Sequence, residues 1–163
     1  MDFVLADDAS IEYLNTTSLL ATHAIDLTGN NLSQLVRGNA GMNTLDGGDG
    51  SDLLYGMGGQ DSFRFSTTLS AGNIDRIGDF NVADDRIELD HTIFTGLSIG
   101  ALSVSAFKDT AVAEKDASDR IIYNSDTGAL LYDADGSGTA FGNVRFATLI
   151  GDPTLTAADF FVV

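Results

Sequence analysis

Three consecutive nonapeptides, GNAGMNTLD (38–46), GGDGSDLLY (47–55) and GMGGQDSFR (56–64), decide the fold of this chain. A degraded fourth copy, GNNLSQLVR (29–37), precedes them. Every copy has an oxygen-bearing side chain at its sixth position and an apolar one at its eighth. A period of nine fits neither a helix nor an isolated strand, whose periods are about 3.6 and 2 residues. The repeat therefore predicts a stacked, solenoid-like structure.

The apolar positions keep this register beyond the glycines. A short strand points its middle side chain to one face, so residues nine apart would line a common core. A flexible glycine-rich linker is the alternative interpretation, but it would not keep apolar residues in step with the sixth positions. The residues that hold the register are Leu27, Val36, Leu45, Leu54 and Phe63.

The residue types of the repeat favour a hard cation. Glycine allows positive φ and leaves no Cβ in the way of inward-pointing carbonyl oxygens. A carboxylate at the sixth position adds an anionic oxygen. Calcium takes six to eight such oxygens at about 2.3–2.6 Å. The loops are therefore predicted to bind Ca²⁺.

Residues 29–64 resemble the RTX (repeats-in-toxin) β-roll of hemolysin-type calcium-binding proteins, which occurs in serralysin-like metalloproteases, secreted lipases and alginate epimerases. The copy at 47–55 matches the pattern G-G-x-G-x-D-x-U-x at every position. In that family two nonapeptides make one turn, so that loops 18 residues apart stack and hold calcium between them. The resemblance implies that loop 38–43 faces loop 56–61 and that loop 29–34 faces loop 47–52.

The same resemblance implies the ligands. Asn43 with Asp61, and Gln34 with Asp52, would supply side-chain oxygens, and the neutral ligands predict weaker binding. About two to four Ca²⁺ ions are expected in all. The backbone carbonyls that would complete the sites belong to Gly29, Asn31, Gly38, Ala40, Gly48, Gly50, Met57 and Gly59.

Residues 75–90, DRIGDFNVADDRIELD, resemble the segment that follows the roll in this family. Asp75, Asp79 and one of Asp84 and Asp85 are candidate ligands for the last calcium, and solvated turn acids are the alternative. The apolar residues expected to be buried around this segment are Ile74, Ile77, Phe80, Ile87 and Leu89.

The remaining segments read as a cap for the open end of a short solenoid. A short helix is expected within 97–107, a β-hairpin at 120–133, a further strand at 143–149 and a capped helical turn at 156–159. The hairpin ends in DADGSG (133–138), which matches the first half of an EF-hand loop.

The twelfth position of that loop is Val144 instead of a bidentate Glu, so an EF-hand is excluded. A looser calcium site made by Asp133, Asp135 and Ser137 and a plain acidic turn are both open interpretations.

The charge of the chain excludes several partners. Twenty-four acidic and eight basic residues give a net charge of −16 over 163 residues. Nucleic acid is excluded because binding it requires basic groups, and an anionic membrane surface is disfavoured for the same reason. No run of apolar residues is long enough for membrane insertion. There is no cysteine, so disulfides and zinc-thiolate sites are absent.

Two features of the chain bear on export. The N-terminal residues lack the basic and apolar regions of a cleavable secretory signal. The acid and apolar residues at 159–163 (DFFVV) resemble the uncleaved C-terminal signal read by type I (ABC-transporter) secretion systems. These apolar residues could also fill the core, and the two interpretations are compatible. We expect a secreted, extracellular protein.

One motif argues for catalysis. Residues 96–100 (GLSIG) match the G-x-S-x-G turn of α/β-hydrolases, but that site needs a downstream histidine, and both histidines, His23 and His91, precede Ser98. We therefore expect no enzyme in this chain, with any catalytic domain lying outside it.

The sequence as a whole predicts an all-β protein: a short parallel β-roll capped by a C-terminal hairpin or sandwich-like segment with one or two short helices. We divide it into an N-terminal cap (1–24), the roll (25–74) and a capping and secretion-signal region (75–163). The expected function is folding on extracellular Ca²⁺. The alternative is an accessory module that binds a polysaccharide or a cell surface, which requires an exposed groove with basic or aromatic residues.

Overall fold

Each short apolar stretch of the repeats forms a β-strand in the computed structural model, which describes residues 2–136 and 142–163. The strands up to the end of the roll are β1 (Asp2–Val4), β2 (Tyr13–Asn15), β3 (Asp26–Thr28), β4 (Leu35–Arg37), β5 (Thr44–Asp46), β6 (Leu53–Tyr55), β7 (Ser62–Phe65), β8 (Asp75–Ile77) and β9 (Arg86–Leu89). The later elements are β10 (Gly100–Ala101), the 3₁₀ helix η1 (Val104–Ala106), β11 (Phe107–Asp109), β12 (Ile121–Asn124), β13 (Ala129–Tyr132), β14 (Val144–Leu149), the 3₁₀ helix η2 (Ala157–Asp159) and β15 (Phe160–Val162).

Successive strands of the roll alternate between two sheets. The first sheet has the order β1-β3-β5-β7-β9-β15-β10 and the second has the order β11-β12-β13-β14-β8-β6-β4-β2. Within the roll every pairing is parallel. The predicted all-β fold with a parallel roll is thereby confirmed.

The register of the sheets follows the nonapeptides. Leu35 pairs with Leu53, 18 residues further on, as two repeats per turn require. The turn that follows the nonapeptides is longer, and in it Ser62 pairs with Arg86, 24 residues further on. The roll therefore continues past the repeats by lengthening its loops. The division of the chain at residues 24 and 74 stays a prediction.

The interior holds the apolar stack that the sequence predicted. Val36, Leu45, Leu54 and Phe63 are completely buried, and Leu27 nearly so. In the following segment Ile77, Phe80, Ile87 and Leu89 are buried and Ile74 is half-buried.

The C-terminal segment closes the roll by extending both sheets. Strands β12 and β13 form the predicted hairpin, and β14 pairs with β13 on one side and with β8 on the other. Strand β15 lies beside β9 in parallel. The helix expected within 97–107 is reduced to η1, and η2 carries the predicted cap, with Thr156 and Asp159 in a capping box. No helix in the described ranges is long and apolar enough to cross a membrane.

Candidate metal centre

The loops of the roll stack in two columns, one at each edge of the sheets. The first loop column contains residues 29–34, 47–52 and 66–74, and the second contains residues 38–43, 56–61 and 78–85. This places together the loop pairs that the resemblance implied. The backbone N–H of Gly58, for example, donates to the carbonyl of Asn39 over 3.3 Å.

A ladder of hydrogen bonds joins the sixth positions of the first loop column. Asp52 Oδ1 accepts the backbone N–H of Gln34 over 2.6 Å, and Asp75 Oδ1 accepts that of Asp52 over 2.9 Å. Asp75 therefore occupies the sixth position of the next turn, although it lies outside the nonapeptides.

The second loop column repeats this ladder. Asp61 Oδ1 accepts the backbone N–H of Asn43, and Asp85 Oδ1 accepts that of Asp61, each over 2.9 Å. The choice that the sequence left open between Asp84 and Asp85 falls on Asp85, which is buried, whereas Asp84 is exposed and accepts the side-chain amide of Asn81. The signal that could have decided it is the apolar residue two positions later, Ile87, as in the repeats.

Asp79 caps the start of loop 56–61. Its two carboxylate oxygens accept the backbone N–H groups of Gly56 and Met57, each over 2.9 Å. The predicted ligands Asp75 and Asp79 thus lie in different loop columns, so the structure does not bring them to one site.

Burial disfavours the ionised form of the carboxyl groups in both loop columns. It raises the pKa of Asp52 and of Asp61 to about 6 each. Burial, together with the neighbouring carboxyl of Asp52, raises the pKa of Asp75 to about 8. Burial also raises the pKa of Asp79 and of Asp85. Buried acids facing one another favour either protons or a cation between them.

The oxygen atoms of these acids fit a hard divalent cation. Asp52 Oδ2 is buried and accepts no N–H hydrogen bond from the described residues, and the Asp75 carboxyl lies beside it. A Cβ atom on Gly47 would collide with this oxygen, and one on Gly56 would collide with Asp61 Oδ2. These positions therefore admit only glycine, and the buried carboxylate oxygens beside them are ligands of the kind that calcium requires. Asp52 with Asp75, and Asp61 with Asp85, are the pairs that would hold it.

Backbone carbonyls must complete such sites. No group of three or more His, Asp or Glu side chains in the described part of the chain is arranged to hold a metal by itself. Gly48, Gly50 and Gly59 have φ of 86°, 116° and 111°, and Met57 has φ of 79°, which turns the backbone of loops 47–52 and 56–61 into the left-handed region.

The other predicted ligands have different surroundings. Asn31 and Met57 are exposed. The carbonyl of Gly38 accepts the Thr16 hydroxyl over 2.9 Å. The Gly48 carbonyl accepts that of Thr67 over 2.9 Å.

Two more of the predicted backbone ligands lie against the other loop of their pair. Ala40 lies beside Gly58, and Gly29 lies against the carbonyl of Gly47 and the side chain of Gln34. The two neutral side-chain ligands, Gln34 and Asn43, direct their oxygens to the backbone of their own loops.

The acidic loop after the hairpin contacts a positively charged side chain from elsewhere in the protein. The Lys115 ammonium group contacts Asp133 Oδ2, the Gly136 carbonyl over 3.0 Å and Asn143 Oδ1 over 3.2 Å. Burial raises the pKa of Asp133, but hydrogen bonds from Lys115 and from the Asp135 backbone outweigh it and hold this pKa below its usual range.

No pattern in the sequence indicated a role for Lys115, which lies 18 residues before Asp133. Ser137 lies outside the described residues, and calcium binding by Asp133, Asp135 and Ser137 stays a prediction.

Comparison with protein families identifies the repeats. Residues 28–64 match the family model for the RTX calcium-binding nonapeptide repeat, described as four copies. No curated protein matches the chain. Residues 28–64 are therefore RTX repeats of the hemolysin type, and calcium binding is the property that they indicate.

Proposed function

From the RTX repeats at residues 28–64, we propose that this chain is a secreted module that folds when extracellular Ca²⁺ fills the loops of its roll. The observation that carries the proposal is Asp52 Oδ2, a buried carboxylate oxygen that accepts no N–H hydrogen bond from the described residues and lies beside the Asp75 carboxyl. Calcium would supply the positive charge that these oxygens lack.

The energetics favour a calcium-dependent fold. A net charge of −16 destabilises any compact state through self-repulsion, and burying acids without a counter-charge adds a further cost. A ligand that binds the folded state alone stabilises it by RT ln(1 + [L]/Kd), so binding free energy becomes folding free energy. Extracellular calcium modules have dissociation constants of about 10⁻⁴–10⁻³ M. Such a module is empty in the low-calcium cytosol and loaded outside the cell.

The export signal would be readable in the calcium-free state only. Strand β15, which contains most of the proposed signal at residues 159–163, pairs with β9 and β10, and Phe160 and Val162 are buried. An unfolded roll leaves this segment free for the type I (ABC) secretion apparatus. Folding outside the cell would then hide it and make export irreversible.

Circular dichroism in the far ultraviolet tests the calcium-dependent fold. We expect strand signal and a cooperative thermal transition in millimolar CaCl₂, and a loss of both, or a much lower midpoint, in EGTA. MgCl₂ at the same concentration is the control for ionic strength, because Mg²⁺ prefers six-coordinate sites with retained water. Identical spectra and midpoints in CaCl₂ and EGTA would refute the proposal.

A binding module for an acidic polysaccharide or a cell surface is the second candidate. The outer face of the second sheet supports it, because Arg37 lies over the ring of Tyr55 at 5.5 Å and Tyr13 is 65% exposed. A glycan array with the calcium-loaded protein tests it, with Arg37→Ala as the variant. We propose no catalytic activity for the chain itself, and turnover by this chain alone would contradict that.

A further inference from the structure

Two of the four repeats are closed in a different way from the other two. We call residues 29–34 and 38–43 the amide loops and residues 47–52 and 56–61 the carboxylate loops. We infer that the amide loops are closed by their own side-chain amides and bind no calcium, so that calcium binding by the roll is confined to the turns from residue 47 onward. The inference rests on the proposed function and specifies which loops serve it.

Loop 29–34 is closed by a pair of amides, Asn30 at its second position and Gln34 at its sixth. The Asn30 backbone N–H donates to Gln34 Oε1 over 3.2 Å, and Gln34 Nε2 donates back to Asn30 Oδ1 over 2.6 Å. Asn30 Oδ1 also accepts the backbone N–H of Leu32 over 3.1 Å. The remaining amide hydrogens of Asn30 reach the carbonyls of Ala6 and Ala9 in the preceding turn, over 2.9 and 2.8 Å.

Loop 38–43 is closed by the same bonds between its second and sixth positions. The Asn39 backbone N–H donates to Asn43 Oδ1 over 3.2 Å, and Asn43 Nδ2 donates to Asn39 Oδ1 over 3.3 Å. Asn39 Oδ1 accepts the N–H of Gly41 over 2.7 Å, and Asn39 Nδ2 reaches the carbonyl of His23 in the preceding turn over 3.1 Å. The same bonds in two independent loops indicate a built feature and not an accident of one sequence.

The backbone separates the two kinds of loop as well. The carboxylate loops carry positive φ at their second and fourth positions, at Gly48, Gly50, Met57 and Gly59. The amide loops carry no positive φ at any position. The loops with asparagine at the second position therefore have a different backbone conformation from the loops with Gly48 or Met57 at that position.

The orientation of the amides is unfavourable for a cation. The oxygen of each sixth-position amide faces a backbone N–H, so its NH₂ group points the other way, and nitrogen-bound hydrogens repel a cation. In the second loop column Asn43 Nδ2 also contacts the Gly41 carbonyl and donates to Asp61 Oδ1 over 3.2 Å. The amide hydrogens thus satisfy oxygens that calcium would otherwise need, whereas Asp52 Oδ2 has no such donor.

The amide loops are buried deeply enough for these bonds to matter. Asn30, Gln34, Asn39 and Asn43 are between 0% and 5% exposed. A buried polar group left without a partner destabilises a protein strongly, so a fully paired set fixes the loop without any ion. The first turns of the roll thereby form a metal-independent base on which the calcium-dependent turns stack.

Isothermal titration calorimetry of the full chain with CaCl₂ tests the inference through the number of ions bound. Gln34→Met keeps the length of the side chain and removes the amide. We expect it to bind as many ions as the wild type, whereas Asp52→Asn loses one. Asn43→Asp replaces the NH₂ group that faces Asp61 by a carboxylate oxygen, and we expect it to bind one ion more than the wild type.

The outcomes separate the inference from the proposed function. Loss of one ion in Gln34→Met, or an unchanged ion number in Asn43→Asp, would overturn the amide closure while leaving calcium binding intact. A wild type that shows no heat of calcium binding would overturn the proposed function itself. If Gln34→Met does not fold, hydrogen exchange of the wild type decides: residues 29–46 should change less between CaCl₂ and EGTA than residues 47–64, and equal changes would overturn the inference.

Discussion

The amide loops and the carboxylate loops have the same period and the same core but satisfy their polar groups by opposite means. The sixth position of an amide loop supplies both a donor and an acceptor and closes the loop internally. The sixth position of a carboxylate loop supplies acceptors alone, and one of those of Asp52 accepts no N–H hydrogen bond from the described residues. The comparison shows that the solenoid period and the chemistry of its loops are separate properties of the sequence.

The core does not distinguish the two regions. Val36 and Leu45, beside the amide loops, are as completely buried as Leu54 and Phe63 beside the carboxylate loops. Burial of such side chains stabilises any turn of the roll by about 1.5–3 kcal/mol each, with or without calcium. Calcium dependence must therefore come from the loops, where substitutions can separate the two regions.

Replacing one buried acid should reverse its effect on stability with the metal. In EGTA we expect Asp75→Asn to be more stable than the wild type, because the carboxyl of Asp75 is buried against that of Asp52. In CaCl₂ at about 100 times Kd the loss of one site subtracts about 2.7 kcal/mol from this gain, or roughly 5–10 °C in melting temperature. Thermal melts in both buffers measure the reversal.

Asp84→Asn is the matched control, since it removes the same charge from an exposed side chain in the same part of the chain. It should change the free energy of unfolding by less than about 0.5 kcal/mol in both buffers. If Asp75→Asn were destabilised equally in CaCl₂ and in EGTA, Asp75 would be a structural acid and not a calcium ligand.

The pH dependence of the wild type should also change sign with the metal. A carboxyl whose pKa is higher in the folded chain than in the unfolded one stabilises the fold below its unfolded pKa and loses that contribution as the pH rises. Asp52 and Asp61, at about 6, and Asp75, at about 8, start from a usual value of 3.8. In EGTA the melting temperature should therefore fall as the pH rises from about 4 to 8.

In saturating CaCl₂ the melting temperature should rise over the same interval, because protons compete with calcium for the carboxylates. Melts at closely spaced pH values in both buffers test this. Parallel curves in the two buffers would show that the buried acids take no part in binding calcium.

The sequence predicted the features that depend on spacing. The residues from Leu27 to Phe63 at intervals of nine placed the strands and the core, and the turn at 125–128 placed the hairpin of β12 and β13. Thr156 and Asp159 placed the cap of η2 in the same way. These features are local, or repeat at a fixed interval, so a single sequence contains all the information that they need.

The features that it did not predict depend on contacts between distant residues. Lys115, in the connection between β11 and β12, reaches Asp133 because β12 pairs with β13 and brings the end of β13 beside that connection. Asp85 takes the sixth position of its turn because the loop before β9, residues 78–85, is longer than the six-residue loop within a nonapeptide. Asn30 and Asn39 stand where the copy at 47–55 has a glycine, and each closes a loop with an amide four residues later. Spacing alone cannot show such pairings.

The smallest expected effect comes from substitutions at the second position of the repeat, where the two kinds of loop differ. Among the described residues Met57 and Asp152 are the only non-glycine residues with positive φ, and Met57 holds the second position of a carboxylate loop. Met57→Gly should relieve the left-handed conformation and stabilise the fold by about 0.5–1 kcal/mol. Asn39→Gly, at the same position of an amide loop, should destabilise it by about 1–3 kcal/mol, because Asn43 and Gly41 lose their partner.

The two variants are each other's control, since both introduce glycine at the second position of a repeat in the second loop column. Urea unfolding in saturating CaCl₂ measures both changes under the same conditions. Opposite signs would show that the second position serves backbone conformation in one loop and side-chain pairing in the other. Equal signs would mean that glycine acts in both loops through the flexibility of the unfolded chain alone, and the distinction between the two kinds of loop would then rest on the sixth position, where Asn43 and Asp61 differ only in their terminal group.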